Sequence, residues 1–204
     1  MTTFTQRVQG VADDAVERSD DTNFTTNPVA SLGAGLVYGR SGAAGNPFWY
    51  SGFRFSAVSI PNAATITSAI INFTARGNFT MTAGITVDIY CEDADNAADF
   101  ATTADVVNRV RTTATSAWSA PNTGTTDVAV NSADFTAAVQ EVIDRAGWAS
   151  GNALMVLLRE SAGTAGESSN YYFYEDSSTK AALLTIEYQG VGGAKDLSLL
   201  GVGT

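Results

Sequence analysis

A chain of 204 residues with 21 acidic and 11 basic side chains, net charge −10, holds no histidine and a single cysteine. That composition excludes Ser-His-Asp and Cys-His catalysis, imidazole metal ligands and an intrachain disulfide. Lys180 and Lys195 are the only lysines, and no stretch interleaves basic residues with aromatics; nucleic-acid binding is excluded and anionic membrane surfaces are disfavoured.

The length suits one sandwich-sized domain that can bury a core without a bridge or a metal. The start, MTTFTQRVQG, lacks the basic head and apolar run of a secretory signal. No window reaches the ~18 apolar residues that span a bilayer. No membrane insertion is expected; either a signal has been removed or the protein leaves its cell by another route, such as release inside an assembled particle.

In chain order, residues 4–16 read as one strand with Gly10 as a bulge, and 18–31 as turn and loop chemistry. Residues 36–39 close a short strand and 41–47 form a loop. Residues 48–55, FWYSGFRF, cross the core with Trp49, Phe53 and Phe55 on one face and Tyr50 and Arg54 on the other. The β-branched run TITSAIINFT (65–74) is a strand, as is 85–92, where Ile85, Val87, Ile89 and Cys91 alternate. Cys91 there is expected to be a small buried hydrophobe. Val106, Val107 and Val110 suggest a short helix; Trp118 and Pro121 fall in a loop before a strand over 126–130. Strands over 170–174 and 182–188 follow the loop 161–169.

Residues 131–159 hold the one strong helix. Phe135, Ala138, Val139, Val142 and Ile143 lie on one helical face, predicting an amphipathic helix over about 132–146. Asn131 or Ser132 is its expected cap, with Asp134 at the positive end of the dipole. At the other end Arg145 pairs with Glu141, and Gly147 takes the left-handed stop. Gly151-Asn152 then turns the chain into 153–158, six unbroken apolar residues that suit a strand covered on both faces. About nine short strands and one helix predict an all-β fold, a jelly-roll-type two-sheet sandwich over residues 1–188. Residues 189–204 form a glycine-rich tail, either a disordered end or an arm docking Leu197, Leu199 and Leu200 on a neighbour.

RVQGVADDAVE (7–17), GFRF (52–55), IPNAATITSAIINFTA (60–75), NRVRTTATSAW (108–118), SADFTAAVQEVIDRAGWASGNALMVLL (132–158) and ALLTIEY (182–188) together resemble the DNRLRE-like jelly-roll modules of bacterial surface proteins and some phage virion proteins. The resemblance covers about residues 4–188 and departs from the family at 41–47, 161–169 and the tail. It implies a jelly-roll fold and a surface-associated, often carbohydrate-binding role; it supplies no catalytic motif.

Neither a phosphate loop nor a dinucleotide fingerprint is present, and most of the many acids are expected to be solvated; a non-enzyme is expected. Calcium is the cofactor the acids of the first strand suit: Asp13, Asp14, Glu17, Asp20 and Asp21. A second acidic group comprises Glu92, Asp93, Asp95 and Asp99. For both, turn-forming and capping roles are the plainer account. Trp118, Tyr50, Tyr172 and Tyr174 are the candidates for stacking on sugar rings, while Trp49 and Trp148 are expected in the core. Two functions are therefore expected: a virion surface protein (head decoration or tail component) contacting other virion proteins or its own copies, or an extracellular module that binds cell-surface glycan, with or without calcium.

Overall fold

Alternation of buried and exposed side chains in the strands, and continuous burial where a strand is covered twice, produce two antiparallel sheets packed face to face. The computed structural model describes residues 1–20, 23–32, 35–40, 47–101, 105–163 and 166–190, with the backbone alone at 29 and 30. Its elements are β1 (Thr2–Arg7), β2 (Asp14–Arg18), β3 (Phe24–Thr25), the helical turn α1 (Pro28–Leu32), β4 (Trp49–Phe55), β5 (Thr65–Thr74), β6 (Phe79–Thr80) and β7 (Ile85–Cys91). There follow β8 (Ser116–Ala120), β9 (Thr123–Gly124), β10 (Ala129–Asn131), the helix α2 (Thr136–Ile143), β11 (Leu154–Ala162) and β12 (Leu183–Gln189). One sheet runs β1-β12-β5-β10 and the other β3-β2-β4-β11-β7-β8, with β6 and β9 forming a separate ribbon.

Between the sheets lie Phe53, Phe55, Ile71, Phe73, Ile89, Val156, Leu158, Leu184 and Ile186, all buried. Phe73 packs against Phe53, Trp118 and Tyr171 at ring-centre distances of 5.2, 5.9 and 5.7 Å. Helix α2 closes this core between β5 and β7, burying Ala138, Val139, Val142 and Ile143, with Phe135 just ahead of it.

The expected caps of α2 are replaced. Asn131 belongs to β10, and the Ser132 hydroxyl accepts the Ile71 amide at 3.2 Å, so neither caps the helix. Asp134 does that work: Oδ1 accepts the Thr136 amide at 2.9 Å while Oδ2 accepts the Ala69 amide and the Ser68 hydroxyl. The Glu141–Arg145 pair does not form either. Glu141 accepts the amides of Thr113 and Ala114, both at 2.8 Å, and Arg145 pairs with Asp93 and Asp95. Gly147 has no left-handed φ and is instead pressed against Asp95; the Asn62 amide group satisfies the last carbonyls, Ile143 and Arg145. Gly151, at φ +101°, makes the turn into β11 that its sequence predicts.

The single strand expected over 4–16 is two strands in different sheets, because the turn at Gly10 carries the chain from β1 across to β2. Residues 106–110 form turns rather than a helix. Tyr171–Tyr174 alternate in burial but make no strand: the Tyr171 amide bonds Gly35 and the Tyr172 amide bonds Thr74. Trp118 lies in β8, not in a loop.

The six-stranded sheet is covered on its outer face as well. Residues 93–101 and 105–109 lie over it, burying Ala97, Phe100 and Val106 on Ala15, Met155 and Leu157. Phe100 fills the space above Gly52, where a Cβ would fall within its ring. Gly52→Ala is therefore expected to lose about 2 kcal/mol despite the higher strand preference of alanine, read as a lower urea midpoint at unchanged slope. Asp134 supplies a second expectation. Partial burial alone would raise its pKa, but the bonds from Thr136, Ala69 and Ser68 together hold it below the ordinary 3.8. A carboxyl lowered on folding stabilises above its unfolded pKa and loses that contribution as pH falls through the folded value. Asp134→Ala should cost about 1 kcal/mol at pH 7, and the difference from wild type should shrink in urea titrations repeated below pH 3.8.

Candidate functional site

The acids of the first strand do not converge. Strand alternation sends neighbours to opposite faces, and the register sets Asp13 beside Arg54, Asp14 beside Phe53 and Glu17 beside Tyr50. Asp14 faces the core; Asp13 and Glu17 face outward, Glu17 beneath Val106 and Val107 and Asp13 beside Arg54. Each outward acid has a structural partner: Asp13 Oδ1 accepts Arg54 Nη1 at 2.6 Å, and Glu17 Oε2 accepts the amides of Val106 and Val107 at 2.8 and 2.9 Å. Asp20 pairs with Arg18 at 2.7 Å, and Asp21 lies outside the described residues. Among the described residues no three Asp, Glu, Cys or His side chains group so as to hold a metal.

Of the second acidic group all but the exposed Asp99 are taken up by arginines. Asp93 and Asp95 bind Arg145, and Glu92 binds Arg109 at 2.8 Å. Arg109 is the staple of the outer cover: its guanidinium donates to Glu92, Asp105 and the carbonyls of Ala98, Asp99 and Asp105, and its side chain is 7% exposed. It forms the floor of a broad depression of about 560 Å³ lined also by Glu92, Asp99, Asp105 and Asn108. With its donors engaged, this arginine holds loops together rather than presenting a fork to an anion.

The aromatic candidates have no open face in common. Trp118 is 5% exposed and packs on Phe73 and Tyr38, so it offers no ring to a sugar. Tyr50, half-buried on the outer face, lies beneath the guanidiniums of Arg111 and Arg159 at 5.2 and 5.9 Å. The Tyr172 hydroxyl donates to Asp127, and Lys180 sits over its ring at 4.8 Å. Tyr174 packs against the core. Trp49 and Trp148 are buried as expected, Trp148 donating from Nε1 to the Ile60 carbonyl at 3.0 Å. Cys91 is buried too, which raises its thiol pKa far above the ordinary value and leaves it unreactive. Leu197, Leu199 and Leu200 of the expected docking arm lie outside the described residues.

The sequence did not single out Glu175 and Asp176. They follow the aromatic run, and the turn that carries them is held to Asp14 by the Tyr174 amide, which donates to Asp14 Oδ2 at 2.8 Å across 160 positions of chain. Burial, then the charge of Glu175, raises the Asp14 carboxyl well above its usual range. Burial, reinforced by the Asp176 charge, lifts Glu175 to about 7. A different surface, on the outer face of the four-stranded sheet, brings Ser68, Asn72, Asn131, Thr185 and Glu187 around a shallow depression of about 200 Å³.

No protein-family model and no curated protein matches this chain. Arg109→Met should remove the ion pairs of Glu92 and Asp105 and the donor to the half-buried Asp105 carbonyl, costing about 3 kcal/mol. Hydrogen exchange should then rise across residues 93–109 before it rises in β4, β7 or β11; equal protection in the two proteins would contradict the role given to Arg109.

Proposed function

We propose that this protein is a non-enzymatic structural subunit on the surface of a phage-like particle, a head decoration or tail component built on a jelly roll. Leaving out β2 and β3, the sheet orders β1-β12-β5-β10 and β4-β11-β7-β8, with the chain crossing between these sheets at each step except β7 to β8, support the jelly-roll reading. That architecture serves viral capsids and lectins alike, so fold alone does not choose between them. The observation that carries the choice is the use made of the reactive side chains. All three tryptophans are buried, and most of the arginines and of the clustered acids are spent on ion pairs and backbone groups within the sandwich. An inert, acidic scaffold is what remains, and like charge keeps crowded copies soluble. The partners of such a scaffold are its own copies or other virion proteins, reached through the surface and residues 189–204.

The glycan-binding alternative rests on the polar groove of Ser68, Asn72, Asn131, Thr185 and Glu187, whose hydroxyl, amide and carboxylate groups suit sugar hydroxyls. It lacks the aromatic platform that such sites use for stacking.

Light scattering over a concentration series separates the two. The full chain is expected to self-associate and a chain ending at Gly190 to remain monomeric, with capsid and tail genes flanking its reading frame. A full chain that stays monomeric at high concentration beside a gene for a secreted hydrolase would sink the structural reading. A melting temperature raised by polysaccharide and insensitive to it in Asn72→Ala would install the alternative.

A further inference from the structure

Asp14, in the interior, and Glu175, half-buried, form no ion pair among the described residues. Asp14 is fully buried and, as the strand partner of Phe53, faces inward. Its Oδ2 accepts the Tyr174 amide at 2.8 Å, which holds the carboxyl against the turn over 173–176. Its Oδ1 has no partner, and neither do Oε1 and Oε2 of Glu175; all three atoms are withdrawn from solvent. The flanking acids differ. Asp13 has Arg54 at 2.6 Å and Asp176 has Arg76 at 3.4 Å, so the nearby arginines are engaged. Among the described residues no lysine or arginine forms an ion pair with Asp14 or Glu175.

Carboxylates buried without partners cost several kcal/mol each, about the scale at which a fold either protonates them or binds a cation. A shared proton satisfies only two of the three bare oxygens, since a protonated carboxyl donates once. One hard divalent cation can take all three and cancel both charges. We propose that Asp14 and Glu175 form a binding site for a divalent cation of the calcium class, tying β2 to the turn that precedes β12. Calcium fits better than magnesium because it accepts irregular sets of six to eight oxygens, completed by carbonyls and water, where magnesium demands an octahedron. This site differs from the sequence cluster: it keeps Asp14, drops Asp13, Glu17 and Asp20, and adds a ligand from the far end of the chain.

The test uses the full chain stripped with EDTA and titrated with calcium chloride. Calcium at about a hundred times Kd should raise the melting temperature by roughly 5–10 °C, with magnesium far weaker. Terbium luminescence sensitised by the tyrosines beside the site should appear and be displaced by calcium. Glu175→Gln should abolish both responses and Asp20→Asn should leave both intact. Glu175 lies in a turn, so its variant is the one expected to fold if Asp14→Asn does not. A wild-type protein that responds to neither metal overturns the proposal, as do responses that survive Glu175→Gln or vanish in Asp20→Asn. Glu175→Gln more stable than wild type in EDTA, with neither responding to calcium, would make the pair a proton-sharing one and overturn it equally.

Discussion

A strand with no exposed face needs two covers, and β11 is that strand. Leu154, Val156 and Leu158 meet the four-stranded sheet and α2, while Met155 and Leu157 meet Ala97, Phe100 and Val106 on the other side. The inner cover is regular, so its backbone polar groups are satisfied within sheet and helix. The outer cover contains no strand or helix among its described residues, and its amides and carbonyls must find other partners. They find side chains: Glu17 for two amides, Arg54 and Asn152 for single carbonyls, Asn96 for the Ala153 amide and Arg109 for three carbonyls. Much of the charge that looks available for chemistry is thus consumed by a covering segment without secondary structure.

The same requirement decides what was legible in the sequence. Period-two alternation marked β5 and β7 to within a residue, and the unbroken apolar run of β11 announced a strand covered twice, because burial acts locally on each side chain. The buried face of α2 was legible for the same reason. Its ends were not: Ser132 and Glu141 bond amides of Ile71, Thr113 and Ala114, distant in sequence, and outcompete the local partners. Trp118 was misplaced because SAWSA surrounds one large side chain with small polar ones, which resembles a loop until β7 is there to pair it. The aromatic run failed conversely. It alternates like a strand, yet its amides bond two separate segments, and no pattern within five residues reveals that.

Clustering of acids along the chain proved a poor guide to clustering in space. Asp13 and Asp14 are neighbours by one peptide bond and separated by the thickness of a sheet. The acid that shares the interior with Asp14 comes from the opposite end of the chain, a contact that no local spacing encodes. What the sequence offered was only an acidic pair following an aromatic run. An unpaired buried carboxylate becomes visible only when every donor around it has been assigned.

These contacts divide the sandwich into a tied end and a free one. β1 and β12 run side by side from Arg7 opposite Leu183 to Thr2 opposite Tyr188. At the Arg7 end, the turn carrying Asp13 and Asp14 lies against the turn over 173–176, and the Val8 amide bonds the Ala182 carbonyl at 3.1 Å. At the other end Thr2 and Gln189 leave the sheet together, so Gly190 lies at the end of the sheet away from Asp14. A cation bound between the two turns would stiffen the closed end without touching the surface where the C-terminal extension departs. Stability at the closed end and exposure at the open end would then answer to separate parts of the fold.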